Sequence, residues 1–258
     1  MYYRTLILLF VYLLISSCTA PIDSSAPVDD DENTDRPAFS YSQREQTGSS
    51  AKDLLSADPF SALIVEIDYM EGFAPEQSSL DKLQQFLENY LNKPSGVQII
   101  TSAVPSAGET SYNVSEIINL EDEYRDEFAR PDTLTAYLLI TDAPYDNNSV
   151  LGIAYLNTSM SLSGSTIADN SGGLGQPSQT SLESTVLNHE FGHILGLVNI
   201  GSAMETDHED NEHPAHCTTE SCLMFWAVET TDFIGNLTGG NIPELDSFCV
   251  QDLEANTN

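Results

Sequence analysis

Positive charge is what this sequence lacks most. Lys and Arg number 8 against 40 Asp and Glu, a formal charge of -32, and no Lys or Arg follows Arg130. Binding to nucleic acid depends on cations that neutralise phosphates and release counterions, so nucleic acid is a poor partner for this chain. The acidity suits a solvated surface that keeps an exported protein soluble, and charge alone names no ligand. Long apolar runs are also missing. The run Leu6 to Ile15 is about ten residues, short of the roughly 20 that span a bilayer as a helix. Cysteine is sparse, with four in the chain, and no internal repeat is visible. What is present, 258 residues of which 40% are hydrophobic, is enough for one domain with a genuine core.

The N-terminus reads as a targeting segment, residues 1–17, with Arg4 ahead of the apolar run. The run ends in Leu14-Ile15-Ser16-Ser17-Cys18, which resembles the lipobox of bacterial lipoproteins. That resemblance implies cleavage before Cys18, a lipid on Cys18, and attachment to a membrane through that lipid, at the bacterial outer membrane or cell surface. An ordinary signal peptide that happens to contain a cysteine is the plainer alternative. From Thr19 to Asp58 the chain is rich in Ser, Pro, Asp and Glu, and such composition cannot bury enough surface to offset its ordering entropy. Residues 18–58 are therefore expected to form a flexible tether. Its run Asp29-Asp30-Asp31-Glu32 resembles the surface-export signal of Bacteroidetes lipoproteins.

The folded domain is expected over 59–258. Ala62 to Tyr69 is β-rich, Ser78 to Leu91 places Leu80, Leu83, Phe86, Leu87 and Leu91 on one helical face, and Val97 to Val104 reads as a strand. Val114 to Ala129 reads as a second helix, Leu134 to Thr141 as a buried strand, and Val150 to Leu156 as one more strand. The order βαβαβ predicts an α/β domain with a mixed, mostly parallel twisted sheet. Ser161 to Gln176 reads as a long loop, and Leu245 to Leu253 as a short C-terminal helix.

Ser181 to Asn199 carries the chemistry. Leu182, Val186, Leu187, Phe191, Ile194 and Leu195 recur at helical spacing, and Gly196 supplies a stop. His189 and His193, four residues apart, project from one face of that helix and can share a tetrahedral metal ion. Glu190 lies beside the open position of such an ion, where a carboxylate can move a proton from water to a leaving amine. Two surface histidines flanking a glutamate by accident would give the same letters, but the helical context and the following glycine favour a site.

His189-Glu190-Phe191-Gly192-His193-Ile194-Leu195-Gly196 resembles the first eight positions of the metzincin signature HExxHxxGxxH. Asn199, a poor zinc ligand, stands where that signature has its third histidine. Asp207, His208, His213 and His216 are the candidates to replace it. His216-Cys217, followed four residues later by Cys222 and then by Met224, resembles the HCx4CxM block of archaemetzincins. That resemblance implies His216 as third ligand, Ile200 to Ala215 as an insertion, and Met224 as the Met-turn residue forming a hydrophobic floor. His208 is the main competitor.

Archaemetzincins continue with a CxxC that completes a second, four-cysteine zinc site, whereas only Cys249 follows Met224 here. Three thiols cannot make an all-cysteine tetrahedron. A Cys217 to Cys222 disulfide is expected instead, with Cys249 free, and a pairing that involves Cys249 is the alternative. The combination of lipobox, HEFGH and HCx4CxM also resembles putative lipoprotein metalloproteases of Bacteroidetes. The resemblances imply a zincin-like domain with an active-site helix, one catalytic zinc ion, peptide or protein substrates, and hydrolysis with Glu190 as general base. A catalytically silent, metal-stabilised surface-binding lipoprotein is the alternative, and a hydrolase of non-peptide bonds is a third reading.

Overall fold

A computed structural model describes residues 39–237 and 240–257. The signal peptide, Cys18 and the tether as far as residue 38 lie outside the described residues. None of the helices among the described residues is long and apolar enough to cross a membrane.

Five strands form one sheet in the order β2-β1-β3-β5-β4: β1 (Phe60–Met70), β2 (Gly96–Val104), β3 (Asp132–Thr141), β4 (Gly152–Leu156) and β5 (Ser159–Ser163). All neighbours are parallel except β4, which runs antiparallel to β5 and closes the sheet as its edge. The mixed, mostly parallel α/β sheet expected from the element order is thus present. In β3 the period-two alternation divides two cores. Leu134, Ala136, Leu138 and Ile140 join the main core, while Tyr137 and Leu139 pack on the other face with Ile117 and Leu120.

Helices α2 (Gln77–Tyr90) and α5 (Gln179–Ile194) feed the main core, and α3 (Val114–Tyr124) covers the second. Helix α3 is five residues shorter than its sequence pattern suggested. Arg125 leaves helical geometry and buries its guanidinium against Glu121 at 2.7 Å and Thr135 Oγ1 at 3.0 Å, which ends the helix there.

Two expectations are corrected. The stretch beginning at Ser161 is not simply a loop. Ser159, Ser161 and Ser163 belong to β5, and α4 (Gly164–Asp169) follows, capped by Ser163. Serine pairs poorly with a strand pattern read from hydrophobicity, yet the hydroxyls of Ser159 and Ser163 find Glu121 Oε1 at 2.8 Å and Thr166 Oγ1 at 2.7 Å, which makes their burial tolerable. The second correction concerns the tether, whose last part, residues 39–58, is folded. Helix α1 (Ala51–Leu55) buries Leu54 and Leu55 completely in the main core. The Lys93 ammonium fastens the same segment by donating to the carbonyls of Asp53, Ser56 and Phe60 at 2.6 to 2.7 Å.

Helix α6 (Ser247–Asn256) closes the chain, with Asp246 capping its first turn through the amides of Phe248 and Cys249.

Candidate metal centre

Helix α5 starts at Ser178, whose hydroxyl caps the Ser181 amide at 3.0 Å, and is buried from Ser181 to Ile194. Its end is set by backbone geometry. Gly196 has φ +75°, and an added Cβ would strike the Ser202 amide nitrogen and, at 2.8 Å, Ala51 Cβ. Val198 and Asn199 also hold positive φ, 56° and 68°, so the chain reverses soon after the second histidine. Asn199 does not face the site. Its amide donates to Glu209 Oε2 at 3.4 Å, while Glu209 Oε1 accepts from the Ala215 amide at 3.1 Å. The insertion is thereby folded back onto the helix end, and it delivers His216.

His189, His193 and His216 converge. His189 Nε2 and His193 Nε2 are 3.1 Å apart. The His216 ring stacks parallel to His189 at 5.4 Å between centroids and stands perpendicular to His193 at 4.9 Å. Each outer histidine is oriented by a backbone carbonyl: His189 Nδ1 lies 2.7 Å from Leu223 O, and His216 Nδ1 lies 3.1 Å from Pro214 O. A carbonyl can only accept, so both Nδ1 atoms carry the proton and both Nε2 lone pairs face the cluster. Burial pushes the His189 imidazole down to about 4 and the His193 imidazole well below its usual value, so both are neutral at physiological pH.

The remaining histidines lie elsewhere. His208 Nε2 is 2.7 Å from Asp252 Oδ2, and its ring stacks on Phe248. His213 Nδ1 is 2.9 Å from Asp210 Oδ2, and its ring lies flat on Trp226 at 4.3 Å.

Glu190 is fully buried, and both of its carboxyl oxygens lack a hydrogen-bond partner. Burial, then the charge of Glu229, hold its pKa well above the usual carboxylate range. Gly152 on β4 makes the room for it. A Cβ there would come within 2.6 Å of Glu190 Oε1. Below the cluster, Met224 is fully buried, and its sulfur occupies the space that a side chain at position 192 would need. Met224 thus packs against Gly192, between the two histidines of the HEFGH run, and Gly192 gives it clearance.

Sequence reasoning missed Glu229. It ends a short 3-10 turn, Trp226–Glu229, and its carboxylate faces all three histidines: Oε2 is 3.8 Å from His189 Nε2 and 4.0 Å from His193 Nε2, and Oε1 is 3.8 Å from His216 Nε2. No periodic or motif signal marks it. A cleft of about 500 Å³ opens over the site, with Ile153, Ala154 and Tyr155 of the edge strand on one wall and His193, Ala215 and Glu229 among its other residues.

A second cluster lies behind the first. Cys217, Cys222, Asp246 and Cys249 each offer one ligand atom, all within 4.8 Å of one another. The expected Cys217 to Cys222 disulfide is absent, and all three cysteines are free. Cys222 Sγ is 3.6 Å from Cys249 Sγ, and Cys217 Sγ is 3.4 Å from Asp246 Oδ2. Backbone amides of Met224 and Asp246 point at Cys222 Sγ, both at 3.4 Å, and His208 Nδ1 lies 3.3 Å from Cys217 Sγ. The neighbouring thiols pull the Cys217 thiol down and push those of Cys222 and Cys249 up. The missing fourth donor is a carboxylate. Asp246 precedes Cys249 by three residues, a spacing that was open to view in the sequence.

The sheet, its edge strand and helix α5 share the fold of archaemetzincin. The archaemetzincin from Methanopyrus kandleri matches with a TM-score of 0.51 at 17% identity, covering 76% of this chain and 96% of that one. Metalloproteinase-II from Bacteroides fragilis matches with a TM-score of 0.44 at 15% identity, covering 78% of this chain and 54% of that one. No family model and no curated protein matches the sequence.

Proposed function

We propose that this chain is a zinc-dependent peptidase. One observation carries the reading: His216 Nε2 is buried without a partner beside two more imidazole nitrogens, both oxygens of Glu190 on the same helix as His189 and His193 are buried without partners too, and His193 and Glu229 line a cleft bordered by an edge strand. Buried polar atoms without partners are expensive, and their convergence suits an ion and a water molecule. His189, His193 and His216 would hold the ion through neutral imidazoles, each outer one fixed by a carbonyl. Zinc in that place supplies a Lewis acid that polarises a scissile carbonyl and acidifies water. Glu190 then takes the proton of the attacking water and returns it to the leaving amine. A divalent ion held by the three histidines would draw the buried Glu190 carboxyl back toward its ionised form. Beside it, β4 offers the sheet edge on which an extended peptide can add as a further strand.

The thiol cluster suits a second, structural zinc. Three sulfurs and one carboxylate give a closed tetrahedral shell with no open position, and amides directed at sulfur stabilise thiolate charge.

The decisive experiment is Glu190→Gln. The variant should keep the zinc content of the wild type and lose turnover on a proteome-derived peptide library by about 100-fold or more. Turnover at the wild-type rate would remove Glu190 from the mechanism. A wild-type chain that binds zinc and cleaves nothing in such a library would support the silent surface-binding alternative. The lipid anchor is part of the same proposal. Cys18→Ala should move the protein from the membrane fraction to the soluble fraction, and retention in the membrane would argue for another attachment.

A further inference from the structure

We propose that Glu229 is a fourth protein ligand of the ion held by His189, His193 and His216, so that the resting site is closed by the protein itself. This rests on the peptidase reading above and goes beyond it, because a three-histidine site needs no such residue.

The placement of the carboxylate carries the inference. Its oxygens lie at nearly equal distances from the three ring nitrogens, 3.8, 4.0 and 3.8 Å, which puts the group opposite the triangle that they form. Zinc bonds of about 2.0 to 2.2 Å to nitrogen and oxygen place tetrahedral donors roughly 3.3 Å apart, so closure needs a shift of only about 0.5 Å. The side chain is not a mobile surface group that has wandered in. The Glu229 carbonyl accepts from the Leu151 amide at 2.7 Å, the next residue bridges to Val150, and Thr231 N donates to Ser149 O at 2.8 Å. The turn is stitched to the approach of the edge strand on both sides of Glu229.

Charge points the same way. The three histidine nitrogens are the only basic atoms within ion-pair distance of Glu229 among the described residues, so no lysine or arginine among them balances its carboxylate. Glu190, next to His189 on α5, is a second carboxyl and is buried, and no Lys or Arg follows Arg130 in the chain. A charge-balancing carboxylate could serve from anywhere nearby, whereas this one lines the cleft, with its side chain 27% exposed. It therefore occupies the side from which a substrate arrives, and a peptide carbonyl or a water molecule gains the ion only by displacing it. The site would be latent until a substrate opens it.

The test uses the full chain loaded with cobalt(II) in place of zinc and exchanged into deuterium oxide. Electron-nuclear double resonance reads whether strongly coupled water deuterons are present, and competition with a chromophoric chelator reads zinc affinity. The wild type should show no inner-sphere water, and Glu229→Ala should show one and lose zinc affinity by at least about tenfold. A carboxylate that only balances charge would leave water on the ion in both proteins, and that result overturns the proposal. Glu229→Gln preserves shape should the alanine variant fail to fold, and water should appear in it too; a water-free spectrum in that variant counts against the ligand role. Failure of the peptidase reading looks different: His189→Ala would then bind as much metal as the wild type, and the inference about Glu229 would fall with it.

Discussion

Substituting Gly152 by alanine tests whether the Glu190 carboxyl is held where the proposed chemistry needs it. The added Cβ would lie 2.6 Å from both Glu190 Oε1 and Val186 Cγ1 and 2.9 Å from Glu190 Cγ, whereas ordinary contact begins at 3.4 Å. Val186 and Glu190 are one turn apart on α5, so the helix face and β4 must separate by nearly an ångström or the carboxyl must swing away. Overpacking of this kind costs about 1 to 3 kcal/mol of stability. A misplacement near 1 Å costs on the order of 100-fold in rate when the group must meet a water molecule and a carbonyl together. The expected outcome is a chain that retains zinc at the three histidines, melts at a lower temperature and turns over peptide about 100-fold more slowly. Gly235→Ala is the control, because an added Cβ there meets nothing within 4 Å. Urea denaturation, zinc analysis and kcat/KM on one peptide report the three quantities separately. Unchanged turnover in Gly152→Ala, with stability also unchanged, would refute the placement of Glu190 against the edge strand.

Two further predictions follow from other parts of the structure. Wild-type chain should bind two zinc ions under saturating conditions, with His216→Ala keeping the thiol-cluster ion and losing the other, while His208→Ala retains the ion at the three histidines; the reverse pattern on metal analysis would return the third-ligand role to His208. Asp68, 1% exposed on β1, has its pKa raised to about 6 by burial first and by Glu66 next. The folded state therefore prefers the protonated acid, and the cost of ionising it is fully present above pH 6 and fades as pH falls toward 3.8. Asp68→Asn should stabilise the protein by up to about 3 kcal/mol at pH 7, with the gain over wild type shrinking steadily by pH 4, and a gap independent of pH in urea titrations would contradict this.

The parts of the molecule that were legible in the sequence are those governed by a period. The apolar stripe of α2, the alternation in β3 and the two histidines one helical turn apart in α5 all announce themselves at fixed spacing, and each stands where the pattern put it. His216 was reachable only through the spacing of its block to Cys222 and Met224, because nothing local distinguishes it from His208. Composition misled in two places. Residues 39–58 look polar enough for a tether, but two buried leucines and a lysine caged by three carbonyls depend on partners far along the chain. The serines of β5 look like loop and are strand, with the hydroxyls of Ser159 and Ser163 satisfied by Glu121 of α3 and Thr166 of α4. Glu229 had no signal at all, since a residue at the end of a 3-10 turn acquires its meaning only from what the fold brings opposite.

The peptide bond joining His216 to Cys217 has a mechanical consequence. One residue belongs to the histidine cluster and its neighbour to the thiol cluster, and the Cys217 amide is bonded at 2.7 Å to the Met224 carbonyl, next to the Leu223 carbonyl that orients His189. Fixing the sulfurs therefore fixes the imidazole, because the backbone between them has no slack residue through which one could move without the other. Ordering either cluster removes conformational entropy that the other would otherwise have to lose, so the two assemble as a single cooperative event. An element that looks structural would thus set the affinity of the neighbouring centre for an ion, and a weakened sulfur shell would be felt first as a loosened histidine.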